Sequence, residues 1–78
     1  MIPIKFPEAN AILAANQDEY EPIYVHRDDG PEGIVTCAFK LSPGELTEIA
    51  TTKTIWLQLL TFGHPFQPVR LSTKRPFE

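Results

Sequence analysis

The stretch Ile34-Val35-Thr36-Cys37-Ala38-Phe39-Lys40-Leu41-Ser42-Pro43-Gly44-Glu45-Leu46 changes its periodicity in the middle, and that change decides the fold class. Up to Leu41 the pattern has period two, as a strand requires. Val35, Cys37, Phe39 and Leu41 share one face, and Ile34, Thr36, Ala38 and Lys40 share the other. At Ser42 the signals become those of a helix start. The Ser42 hydroxyl can accept the backbone N–H three residues on, and the Glu45 carboxylate can return to the N–H of Ser42, which makes a capping box. Pro43 falls at the first helical position, where a missing N–H does no harm. A helix is predicted over Pro43–Thr51, with Leu46, Ile49 and Ala50 as its apolar stripe.

Upstream, Ile23-Tyr24-Val25-His26-Arg27 reads as a strand by β-propensity, with Ile23 and Val25 on one face and Tyr24 and His26 on the other. The cluster Asp28-Asp29-Gly30-Pro31-Glu32-Gly33 then joins two strands as a hairpin. Downstream, Thr54–Phe62 carries the strongest strand pattern of the chain. Ile55, Leu57 and Leu59 lie on one face and Trp56, Leu60 and Phe62 on the other, so both faces need cover. Gly63-His64-Pro65 breaks it, and Gln67–Thr73 is expected as a last strand, at an edge because of its prolines. Residues 1–21 are expected as an irregular arm around Pro3 and Pro7, with one or two helical turns in Glu8–Ala15 and a polar loop at Asn16-Gln17-Asp18-Glu19. Residues 74–78 are expected as a mobile tail. The order is β-β-α-β-β in a single domain, residues 1–78. The class is α+β, a small, twisted, mainly antiparallel sheet of about four strands with one capped helix.

The chain has 78 residues, with a net charge of −3 and 42% hydrophobic content. A domain of this size buries only about 60% of its unfolded surface. One cysteine excludes an internal disulfide framework. No apolar run approaches the ~20 residues of a membrane helix, and the first residues lack a signal-peptide core. Charge is uneven: residues 1–50 hold Lys5, Arg27 and Lys40 against nine acids, whereas residues 51–78 hold Lys53, Arg70, Lys74 and Arg75 against Glu78. A duplex nucleic acid binder is basic across one face, which this chain is not. No membrane partner and no cofactor are expected.

Chemical motifs are sparse. His26, His64 and Cys37 lack the spacing of a zinc site. Cys37, between Val35 and Phe39, is expected as a buried core thiol. Asp28-Asp29-Gly30 lacks the remainder of a calcium loop. There is no glycine-rich phosphate loop and no Ser–His–Asp constellation, so the chain is read as non-enzymatic. The aromatic stretch is richer: Trp56, His64 and Phe66, followed by Arg70, Lys74 and Arg75. Planar rings stack on a base while cationic groups hold phosphates, so these six residues are the candidate ligand site. Trp56 and Phe62 equally suit a core or a subunit interface, and an interface can itself form such a pocket.

The whole-chain pattern resembles small uncharacterised proteins encoded by tailed bacteriophages. The pieces that carry it are Phe6-Pro7-Glu8-Ala9-Asn10, Ile23-Tyr24-Val25-His26-Arg27, Leu41-Ser42-Pro43-Gly44-Glu45-Leu46, Ile55 through Pro65 and Pro68-Val69. The resemblance implies a viral protein in the cytoplasm of a bacterial host, a binder directed against host defence. The expected function is sequestration of a nucleotide-type immune signal by an oligomer. Two alternatives stand beside it. One is inhibition of a host nuclease or other defence protein through the acidic loops Asp18-Glu19-Glu21 and Asp28-Asp29-Glu32. The other is an accessory or structural role in the virion. Because the helix offers one apolar stripe for two apolar strand faces, a homodimer or higher oligomer through Trp56, Leu60 and Phe62 is expected.

Overall fold

A computed structural model describes residues 1–13 and 22–77. The class is α+β: a four-stranded antiparallel sheet and one capped helix. The strands are β1 (Ile2–Ile4), β2 (Ala11–Leu13), β3 (Ile23–Arg27) and β4 (Val35–Lys40), in the spatial order β1-β4-β3-β2, and α1 (Pro43–Thr52) follows.

The β3–β4 hairpin forms where the alternating runs place it, in the register Val25↔Cys37, His26↔Thr36 and Arg27↔Val35. Asp28 organises its loop: the Gly30 N–H donates to Asp28 Oδ1 at 3.0 Å, and the Asp28 N–H donates to the Ile34 carbonyl at 2.9 Å. Gly33 takes the left-handed conformation there, at φ 60°, which glycine adopts without steric cost.

The N-terminal arm differs from expectation. It supplies both edge strands. β1 pairs with β4 (Pro3↔Phe39) and β2 with β3 (Ala11↔Val25). Pro3 is tolerated because an edge strand leaves one row of N–H groups unpaired. Ala11–Leu13 is strand where helical turns were expected, since pairing with β3 overrides weak local helix propensity. Glu8–Asn10 is likewise not helical but a turn and extended chain leading into β2, while Ala14, Ala15 and the polar loop lie outside the described residues. Asn10 extends the β2–β3 ladder with its side chain. The Arg27 N–H donates to Asn10 Oδ1 at 2.8 Å, and Asn10 Nδ2 donates to the Arg27 carbonyl at 3.1 Å.

The sheet is curled. Cα atoms of β1 and β3 come within 8 Å although β4 lies between them, whereas a flat sheet would hold them about 9.6 Å apart. Register sorts the side chains onto two faces. The front face carries Pro3, Leu13, Ile23, Val25, Val35, Cys37 and Phe39, and the back carries Ile4, Ile12, Tyr24, His26, Thr36 and Ala38. Val25, flanked by Ala11 and Cys37, is fully buried, and it is the single buried hydrophobic residue among those described.

The helix begins as the sequence indicates. The Ser42 hydroxyl accepts from the Glu45 N–H at 3.2 Å, and Glu45 Oε1 accepts from the Ser42 N–H at 2.8 Å. The helix ends at Lys53, whose N–H reaches the Ile49 carbonyl at 2.7 Å from a left-handed φ of 54°. It packs against none of the strands, and Leu46 stays exposed.

After α1 the chain forms no further strand among the described residues. Thr54–Phe62 and Gln67–Thr73, both expected as strands, lie outside any ladder. Among the described residues no strand lies beside them to complete their hydrogen bonds, and a strand cannot satisfy its backbone alone.

Candidate functional site

The segment from Thr54 to Phe66 is an exposed apolar arm with two unequal sides. Ile55, Leu57 and Leu59 are 46%, 44% and 42% exposed, while Trp56, Leu60 and Phe62 are 86%, 74% and 78% exposed. The alternation read from the sequence is thus present in space. One set is partly sheltered, and the other points into solvent. A turn closes the arm's tip: the His64 N–H donates to the Thr61 carbonyl at 2.9 Å, with Phe62 at φ 52° and Gly63 at φ 83°. Positive φ at both central residues marks the type I′ turn that joins hairpin strands.

The expected mobile tail is docked as far as Phe77. Its ring stacks on Phe6 with centroids 5.9 Å apart and meets His26 edge-on at 5.2 Å. Arg75 lies over Phe77, its guanidinium 5.4 Å from the ring centroid, and forms an ion pair with Glu8. The hydrogen bond from Arg75 holds the Glu8 carboxyl below its ordinary value. A turn over Phe6–Ala9, closed by the Ala9 N–H on the Phe6 carbonyl at 3.0 Å, sets Glu8 in place for this latch.

The six candidate ligand residues do not line one groove together. His64 lines a shallow groove of about 310 Å³ with Leu59, Leu60, Thr61, Pro65 and Gln67, and none of the other five candidates lines it. Trp56 and Phe66 are exposed. Arg70 and Lys74 carry no ion pair among the described residues, and a Ser72 hydroxyl turn holds the Lys74 backbone at 3.0 Å. Arg75 is occupied by Glu8. The sequence reading missed the latch partners Glu8, Phe6 and Phe77, which lie far from Arg75 in the chain or beyond the aromatic stretch. The terminal aromatic beside a proline was the only local signal.

Cys37, expected as a buried core thiol, is exposed. It shares the front face with Val35 and Phe39 as predicted, but no layer among the described residues covers that face fully. Partial burial among its neighbours still pushes the thiol pKa up, the opposite of an activated nucleophile. No group of His, Cys, Asp or Glu among the described residues is placed to hold a metal ion. No helix among them is long and apolar enough to cross a membrane. Of the acidic loops, Asp18-Glu19-Glu21 lies outside the described residues, and the Asp28 carboxylate is spent on its own turn.

The total exposed surface is the second quantity that defines this site. A compact monomer of this mass exposes about 4,800 Å², whereas this chain exposes 7295 Å². The radius of gyration is 14.1 Å, against about 11.5 Å for a compact domain of this length. No protein-family model, curated protein or solved structure matches the chain.

Proposed function

We propose that this chain is a non-catalytic binding protein that holds a nucleotide-type ligand on its C-terminal arm, with the site completed by assembly of subunits. The observation that carries the reading is Trp56, a planar indole 86% exposed on the same arm as His64 and Phe66, with the cations Arg70 and Lys74 following the arm in the chain. Exposed indole faces are costly to leave in water, and they gain from stacking on a base. The groove at His64, about 310 Å³, is at the lower limit of small-ligand pockets, so a subunit across it would supply the missing wall. Arg70 and Lys74 are the phosphate contacts in this reading. Arg75 joins them only by leaving Glu8. With the resemblance to tailed-phage proteins, the ligand class is a host immune signal and the role is counter-defence.

Calorimetric titration with cyclic dinucleotides, cyclic trinucleotides and ADP-ribose-type molecules tests this. One of them is expected to give saturable heat, raise the melting temperature and quench Trp56 fluorescence. The double variant Arg70→Glu with Lys74→Glu should weaken that binding by about 10–100-fold, the worth of one or two charge-assisted contacts. Absence of heat with every ligand rejects the reading.

A further inference from the structure

We infer that two copies of this chain exchange arms, with Trp56, Leu60 and Phe62 of each copy packed on the front sheet face of the other, around Leu13, Val35 and Phe39. The inference does not depend on the ligand being a nucleotide: Trp56 meets the second copy through one face of its indole, which leaves the other face for the base of the proposed function. It rests on four features of the molecule.

Donor and acceptor surfaces are both present in one chain and both open. Leu13, Val35 and Phe39 are 39%, 45% and 46% exposed around the buried Val25, and register places all of them on one face. The helix that could have covered this face packs on no strand. On the arm, the outward set is nearly free of contact. A surface that carries its own complement makes a closed two-fold pair, in which each contact occurs twice.

The areas agree. The excess exposure of about 2,500 Å² per chain becomes about 5,000 Å² over two chains. That excess is spread over the whole chain and is more than the roughly 2,000 Å² in total that a stable homodimer interface needs to bury.

Charge does not oppose the pairing. Thr54–Phe66 carries no Asp, Glu, Lys or Arg, so an arm laid on the other copy's face brings no like-charge contact with it.

The arm is already shaped for pairing. Its I′-type turn at Thr61–His64 is a hairpin turn without a hairpin. An aromatic residue at φ 52° is strained, and such strain persists where surrounding contacts enforce it. The front face of a second copy supplies those contacts.

Sedimentation equilibrium at micromolar concentration, read together with Trp56 emission, tests the arrangement. Trp56 is the only tryptophan, so its emission reports the arm alone. The wild-type chain is expected at twice 8.8 kDa, with blue-shifted emission that moves red on dilution. Trp56→Glu and Leu60→Glu on the arm, and Phe39→Glu and Val35→Glu on the sheet, should each weaken association by about a hundredfold or more. Circular dichroism verifies that β3, β4 and α1 remain. A mixture of Trp56→Glu with Phe39→Glu should recover dimers, because one intact arm then meets one intact face. A monomeric wild-type chain with fully exposed emission overturns the inference. So does wild-type affinity in both sheet variants, which would mean that arm meets arm. If one sheet variant loses its circular dichroism signal, the other decides.

Discussion

Residues 23–52 and residues 53–77 have comparable hydrophobic patterning and opposite fates. In the first region, each backbone demand is met close by. The Asp28 side chain holds the hairpin loop, Asn10 splints the edge ladder, and Ser42 and Glu45 cap the helix reciprocally. In the second, strand pattern is as strong, yet the local supports among the described residues are short turns at Thr52–Thr54, Thr61–His64 and Ser72–Lys74, and the Phe77 latch ties the segment to residues far away in the chain. The contrast separates two kinds of secondary structure. A helix closes its own hydrogen bonds, so α1 forms without packing on any strand. A strand closes none, so Thr54–Phe62, with no strand beside it among the described residues, forms no ladder.

The largest expected effect comes from breaking the first region at its centre. Val25→Asp buries an unpaired carboxylate in the single fully enclosed position among the described residues. It should cost upwards of about 4 kcal/mol and abolish the β signal in circular dichroism. The same charge at Leu60 should leave that signal intact and change only association, and an unfolded Leu60→Asp chain would erase the distinction between the regions. Next is Asn10→Ala. It removes two hydrogen bonds to the Arg27 backbone at an exposed edge and should cost about 1–3 kcal/mol in urea unfolding. Hydrogen exchange should rise first at Arg27. Ser42→Ala removes the helix cap and should cost about 1 kcal/mol, visible as lost helicity with the sheet unchanged, because α1 touches no strand.

The smallest effect is a pH dependence. The N-terminal amine of Met1, with help from the Ser42 backbone, lowers the Glu45 carboxyl to about 2 from an ordinary 4.5. A depressed carboxyl contributes stability that is complete above its unfolded value, so this contribution is lost as pH falls from about 4.5 towards about 2. Glu8, lowered by Arg75, has the same sign. Melting curves of Glu45→Gln should be flatter across that window than wild type. Equal slopes would show that the amine contact is absent in solution.

Much of the fold was legible because it is local. The helix start at Ser42 needed only four residues. The hairpin needed only a turn cluster between two alternating runs, and the faces of β3 and β4 followed from parity. The two edge strands were not legible, because Ile2–Ile4 and Ala11–Leu13 are too short to carry a pattern, and each forms only against a partner strand far along the chain. The candidate site was half legible. The inward and outward sets of the arm follow from alternation. The Glu8–Arg75 pair and the Phe6–Phe77 stack join residues separated by nearly the whole chain.

Sequence by itself therefore determined the class, the capped helix, the central hairpin and which arm residues share a side. Each is set by steric and hydrogen-bonding preferences within a few residues. Tertiary structure alone decided that residues 2–4 and 11–13 become the sheet edges, that Cys37 stays exposed, and that the strongest strand pattern remains unpaired. Those outcomes depend on which backbone or apolar surface lies opposite. Nothing in a run of residues encodes that until distant parts of the chain, or a second chain, have come together.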